Sequence, residues 1–188
     1  MQTVLLDLMS QESIRQAAVD VTNLTDRLDI VINNAGIMTP KRQLTVEGIE
    51  AQFGANHIGH FLLTNLLMPQ LLSAAKSGTP GSTRVVNLTS LGHRISPVRF
   101  HDYNFEGKDI PPEEAHIPLN GAFAKGADGD YNGFVAYGQA KSANVLFSVG
   151  LNNLMKEKGL VSFAVHPGCK SLSSLPTRVS TLDTQKLT

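Results

Sequence analysis

The 188-residue sequence has a single cysteine, Cys169, so no disulfide can form within the chain and secretion gains no support. A reactive thiol needs a partner that activates it, and the stretch around Cys169, with Lys170 its one adjacent charge, forms no recognisable pairing of that kind. Net charge is missing too. Lysine plus arginine equals aspartate plus glutamate, 16 of each, which leaves no basic surplus for nucleic acid or anionic membrane. The longest apolar stretch, FLLTNLLMPQLL, is too short and too interrupted to span a bilayer. The opening residues, MQTVLLDLMS, lack the basic start and cleavage site of a signal peptide, so a cytoplasmic location with no membrane segment is the default expectation. No internal repeat is present.

What remains is ordinary globular material, 41% hydrophobic and 17% charged. The length suits one domain, which at this size buries roughly 70% of its unfolded surface. TVLLDL reads as a short buried strand. Ser10 follows as a candidate N-cap, and Ile14, Ala17, Ala18, Val21 and Leu24 recur at helical spacing. LDIVINNAG is an apolar strand ending in a turn. Residues 45–72 carry a helical pattern with Ile49, Phe53 and Phe61 facing inward, and TRVVNLTS is a further strand. A Gly-, Pro- and Asp-rich loop covers 96–133, longer than compact domains usually carry. Helix returns over 134–158, LVSFAVHPG is the last strand, and 169–188 is read as a poorly ordered tail. Continuously apolar strands alternating with helices predict an α/β fold with a parallel sheet covered on both faces.

Tyr137 and Lys141, in AYGQAK, lie one helical turn apart on one face and would present both polar tips to one cleft. A phenol titrates near ~10, a poor proton carrier at neutral pH, but a nearby ammonium favours the phenolate. Three tyrosines and nine lysines would produce a chance Tyr-x-x-x-Lys in roughly one sequence of this length in seven, so for the pair alone the surface reading wins. Its company changes the weight. Asn33, Asn34, Ala35 and Gly36 close one strand, Ser90 ends the next, and Pro167 with Gly168 ends the last, all at the carboxyl edge where such sheets hold ligands. Asn56 sits inside a helix, where an inward polar side chain needs a partner.

Two metal-like patterns compete. DGDYNG, residues 128–133, matches the start of a calcium loop, but its twelfth position is Gln139 rather than glutamate, so a polar turn leading into the helix is preferred. His57 and His60 sit three apart with no carboxylate or cysteine cluster to complete a site, so no metal is expected.

The stretches LDL, VINNAG, ANHIGHFLLT, RVVNLTS, AYGQAKSANVLF and VHPG, spread over residues 1–168, together resemble the short-chain dehydrogenase/reductase family, in its retinol-dehydrogenase-like branch. The resemblance implies a Rossmann-like, doubly wound parallel sheet in residues 1–168. It implies that Tyr137 is the acid/base at a substrate oxygen, Lys141 its electrostatic partner and a ribose ligand, and Ser90 the group that polarises that oxygen. Asn56 would support a water relay. Asn33, Asn34, Ala35 and Gly36 would line the adenine–ribose side of the cofactor, Asp7 would approach the adenine, and Pro167 and Gly168 would pack near the nicotinamide. The implied cofactor is NADP, with NAD not excluded, and the implied substrate a small alcohol or carbonyl compound.

The sequence also departs from the family pattern. The T-G-x-x-x-G-x-G turn that meets the pyrophosphate has no counterpart, TVLLDL aligns with the family's third strand, and the last strand is not recognisable. The expected sheet is therefore incomplete, lacking the first two strands and the last. TVLLDL would then have no strand to pair with, and LDIVI would form an exposed edge. Leu172, flanked by Ser171 and Ser173, stands where a nicotinamide-contacting threonine is expected. A catalytically inactive fragment that binds no dinucleotide is the alternative reading, and an interaction module a third.

Overall fold

The computed structural model describes residues 2–124, 129 and 131–168. Helix α1 (Gln11–Leu24) starts where Ser10 accepts a hydrogen bond from Ser13 N. Its inward stripe is Ile14, Ala17 and Ala18, while Leu24, at the frayed end, is exposed. Strand β1 (Ile30–Asn33) follows. A short α2 (Ala51–Phe53) is capped by Glu50, whose carboxylate accepts from Gln52 N and Phe53 N. The chain then widens into a π turn (Gly54–Ile58) and continues as α3 (Gly59–Leu66) and α4 (Met68–Ser77). The break between α3 and α4 bends the path by 58°. Pro69 lies in the first turn of α4 and has no N–H to give a preceding turn, which favours a new helix start there. Strand β2 (Thr83–Leu88), helix α5 (Gly133–Met155) and strand β3 (Leu160–Val165) complete the order, and Gly159 at φ 85° supplies the left-handed residue between helix and strand.

The three strands form one parallel sheet in the order β1-β2-β3, with Val31 opposite Val85 and Val85 opposite Ser162. One face is covered: Leu71 and Ala75 of α4, Phe147 and Leu151 of α5, Val85 and Leu160 make its core. A buried polar crossing ties the same face together. Asn33 donates to Asn87 (2.8 Å) and Thr64 (3.0 Å), and Asn87 donates to Ser148 (2.9 Å) and Ser162 (3.3 Å).

The α/β fold with a parallel sheet is as the sequence predicts, but three details differ. The sheet is covered on one face only among the described residues. On the other, Ile32 is 62% and Phe163 49% exposed, flanking Val86 in register. Strand order advances in one direction, and right-handed crossovers taken in one direction put their helices on the same side. Second, TVLLDL is not a strand. It has no strand neighbour, Leu5 is 91% exposed, and the segment ends by pressing Leu8 onto α3 at Gly59, where a Cβ would come within 2.7 Å of the Leu8 carbonyl. Third, the 45–72 helix is shorter and broken. Residues 45–50 instead turn back on themselves through a bridge between Leu44 and Glu50, and Phe61 is 45% exposed. The exposed edge at LDIVI is present as expected. The predicted tail, with Cys169, Ser171, Leu172 and Ser173, lies outside the described residues, as do Asp128 and Asp130 of the calcium-like motif.

The contrast between the two sheet faces is measurable. Leu71→Ala, at a fully buried position, is expected to cost about 2–5 kcal/mol in urea unfolding. Phe163→Ser on the open face should change stability far less and lower concentration-dependent light scattering; equal losses at the two positions would refute the one-sided packing.

Candidate functional site

Helix α5 begins at Asn132, whose side-chain Oδ1 accepts from Phe134 N and Val135 N, so the calcium-like motif contributes a helix cap. One turn in, Tyr137 is half-buried, and the following turn carries Lys141 into the interior. Its ammonium donates to the Leu88 carbonyl at 2.9 Å and lies 5.5 Å from the centre of the Tyr137 ring. Burial pushes the Lys141 ammonium below the usual lysine range, because a charge removed from water is disfavoured.

Ser90 follows the end of β2 and caps a short 3₁₀ turn (Leu91–Arg94), accepting from Gly92 N at 3.1 Å. That bond uses a lone pair of the hydroxyl and leaves its proton available to a ligand. Gly92 is where the groups meet. A Cβ there would stand 3.0 Å from Tyr137 Cδ1 and 3.6 Å from Ser90 Oγ. The stretch 92–99 is fastened along α5 by Ser142, which donates to the His93 and Ser96 carbonyls, and by Gln139, which accepts from Arg99 N and donates to the Tyr103 carbonyl. Gly138 permits the closest approach, since a Cβ would fall 2.8 Å from the Gly92 carbonyl.

Asn56 sits in the π turn, fully buried. Its amide pairs with both backbone groups of Ile37, accepting from the N–H at 2.7 Å and donating to the carbonyl at 2.9 Å. π turns of this kind recur at functional sites because they re-aim a side chain within a helix. Gly36, on the exposed turn beside it, faces Asn56 Oδ1 at 3.0 Å and Lys141 Nζ at 3.7 Å from its virtual Cβ, so a side chain there would fill the approach to the ammonium. His60 Nδ1 lies 3.1 Å from the Asn56 carbonyl and must carry the proton, since a carbonyl only accepts. His57 packs among Phe53, Phe61 and Phe147, and burial pushes it down to about 4.

Gly36, Asn56, Ser90, Tyr137 and Lys141 are thus joined by near contacts at the carboxyl edge of the sheet. Pro167 and Gly168 leave β3 on that edge, where Thr89 N donates to the Val165 carbonyl, and both are exposed. Asn34 and Ala35 are exposed on the turn after β1, whereas the Asn33 side chain is turned into the polar crossing beneath the sheet. Asp7 is the outlier. Its carboxylate accepts from Met9 N and its backbone N–H donates to Ser13 Oγ, all within the entry to α1. Gly92, Gly138, Ser142 and Asn144 went unnoticed in the sequence, and Gln139 was read only as the misfit of the calcium-like motif. The available signal was a run of uncharged polar and glycine residues on inward positions of an otherwise apolar helix. Among the described residues no three His, Cys, Asp or Glu side chains gather for a metal.

A protein-family profile described as short chain dehydrogenase matches residues 1–104. The oxidoreductase fscI of Fusarium equiseti is 38% identical over 168 residues, covering 88% of this chain and 64% of that protein. Human retinol dehydrogenase 13 is 38% identical over 163 residues, covering 87% and 41%, and mouse retinol dehydrogenase 11 is 36% identical over 177, covering 94% and 46%. The chain therefore spans about half the length of such relatives. Among solved structures, an uncharacterized protein from Mycobacterium paratuberculosis superposes with a TM-score of 0.62 at 33% identity, over 87% of this chain and 48% of that one. An NADPH-bound carbonyl reductase from chicken fatty liver shares the fold at 22% identity, with a TM-score of 0.57 over 88% and 56%.

Gly138→Ala should destabilise by about 1–3 kcal/mol through the Gly92 contact, whereas Gly150→Ala, with nothing within 4 Å, should stabilise by about 0.5–1 kcal/mol. Denaturant midpoints of the two variants check the pair. His57 yields a pH signature. An unfolded histidine takes up a proton near ~6.5, while the native ring resists until about 4. The unfolded state therefore binds more protons across that window, and stability present above it falls as the pH drops. His57→Phe should remove on the order of 2 kcal/mol of the loss between pH 7 and 4.5 in urea titrations.

Proposed function

Because the chain belongs to the short-chain dehydrogenase/reductase family, on its retinol-dehydrogenase-like side, we propose that it acts as a nicotinamide-dependent oxidoreductase on an alcohol or carbonyl substrate, preferring NADP to NAD. The observation that carries this is the meeting of the Tyr137 ring and the Ser90 hydroxyl at Gly92, with the Lys141 ammonium behind the ring. The donor set suits the group. A buried ammonium and an open approach at Gly36 fit the ribose end of a nicotinamide nucleotide, and the small residues Pro167 and Gly168 border the same edge. The pyrophosphate end finds no glycine-rich turn in this sequence. When bound, the nicotinamide supplies or accepts the hydride.

The chain's own residues handle the proton. Ser90 donates its free hydroxyl proton to the substrate oxygen and orients it toward Tyr137. In the oxidising direction the phenolate of Tyr137 takes the alcohol proton as the carbonyl forms, and in the reducing direction the phenol returns it. Lys141, fixed on the Leu88 carbonyl, holds its positive charge behind the Tyr137 ring. Asn56 holds the turn that bears Gly36 by pairing with Ile37, which keeps the approach to the ammonium open.

Tyr137→Phe retains the ring contacts and removes the proton carrier, so NADPH-dependent turnover of an apolar aldehyde or ketone should fall at least about 100-fold with an unchanged melting curve. Lys141→Met should also weaken saturable NADPH binding, followed by fluorescence. Turnover indifferent to Tyr137, or no saturable nucleotide binding by the intact chain, would overturn the assignment and leave the inactive-fragment reading.

A further inference from the structure

Lys141 does not stand on its helix unaided. The Leu88 carbonyl that receives its ammonium at 2.9 Å also receives the Asn144 amide at 3.0 Å, so both lone pairs are taken. Asn144 is buried, three residues beyond Lys141, on the same face of α5 and about two turns further along the helix than Tyr137. Because its amide nitrogen is committed to Leu88, its oxygen points the other way, and there it meets His57 Nδ1 at 3.2 Å. That oxygen can only accept, so His57 carries its proton on Nδ1, and the two side chains hold each other in a single orientation. A second bond secures the same joint: Thr89 donates its hydroxyl to the Lys141 carbonyl at 2.8 Å. The end of β2 is therefore fastened to α5 on both sides of the lysine, immediately before Ser90.

We propose that Asn144 is a positioning residue for Lys141: oriented by His57, its amide fixes the Leu88 carbonyl and thereby the place of the ammonium behind Tyr137. The inference rests on the function proposed above. His57 is suited to the part because its ring, packed against Phe53, Phe61 and Phe147, stays neutral through the physiological range and so keeps one donor and one orientation. The other groups facing Lys141 are Tyr137, His60 and, across Gly36, the Asn56 amide oxygen. None of them holds the Leu88 carbonyl. Without Asn144 the strand end and the ammonium would both gain freedom to reach water, and the lysine would lose the desolvation that now depresses it.

The test uses the full chain with carbon-13 at lysine Cε, Lys141 being assigned from the spectrum of Lys141→Arg. Asn144→Leu keeps the volume and deletes both hydrogen bonds. The Lys141 titration midpoint should rise toward that of the exposed lysines, and turnover should fall at least about tenfold while KM changes less than about threefold. His57→Phe preserves the aromatic packing and removes only the orienting donor, so it should shift Lys141 in the same direction by a smaller amount, and it serves if Asn144→Leu does not fold. A purely structural role would lower the melting temperature and leave the Lys141 midpoint where it was. That outcome in a folded variant overturns the proposal. If the unmodified chain shows no turnover, the functional assignment fails, and the lysine titration still decides the positioning role.

Discussion

Gly138 and Gly92 press helix α5 and the segment after β2 so close together that a methyl group would fall 2.8 Å from the Gly92 carbonyl at one and 3.0 Å from the Tyr137 ring at the other. Everything at the candidate site depends on that approach. It brings the half-buried ring of Tyr137 over the turn capped by Ser90, and it sets α5 deep enough for Lys141 and Asn144 to reach one carbonyl at the strand end. Gln139 and Ser142 then fasten the outgoing loop at Arg99, Tyr103, His93 and Ser96, so the long segment between β2 and α5 is anchored by the helix that carries Tyr137 and Lys141. Loop and helix are one unit, which is how a loop residue such as Ser90 acquires the precision of a scaffold position.

The electrostatic setting follows from burial. Lys141, His57 and His60 all sit where charge is penalised, and each is held by neutral partners: a carbonyl, an amide and a backbone oxygen. A lysine in such surroundings keeps its ammonium only by geometry, so displacement of the Leu88 carbonyl would be felt at once by the lysine and its tyrosine neighbour. Glu50, at the far end of α2, follows the same physics with opposite sign. Burial pushes its carboxyl up, and two backbone N–H groups and the Tyr131 hydroxyl offset part of that cost. Tyr131 is thereby a structural tyrosine, distinct from Tyr137 by its commitment to a buried carboxylate.

Sheet topology explains the exposed surface. Strands that advance in a single direction place both crossovers on one face, and the opposite face presents Ile30, Ile32, Phe163 and Val165 to solvent. Continuous apolar strands read as doubly covered from sequence because apolarity reports what a strand can bury, whereas the handedness of the connections decides what actually reaches it. TVLLDL failed as a strand for a related reason. A strand needs a partner for its backbone groups, and TVLLDL has none among the described residues, as the expected loss of the first two strands implied. The polar crossing of Asn33 and Asn87 was equally hidden, since only the register of β1 on β2 brings the two amides together.

Legible in the order of residues alone were the alternation of strands and helices, the caps at Ser10 and the turn leading into α5, and the spacing that puts Tyr137 and Lys141 on one helical face, because periodicity and capping are local properties of the chain. The strand-end placement of Ser90 and Gly36 could be read in the same way. Only the folded structure decided that the Asn33 side chain turns inward, that Asp7 serves the entry to α1, and that Asn144, His57 and Gly138 belong to the neighbourhood of the lysine. Those relations join residues separated by tens of positions, and they are set by how close two backbones can come, a quantity that no local pattern encodes.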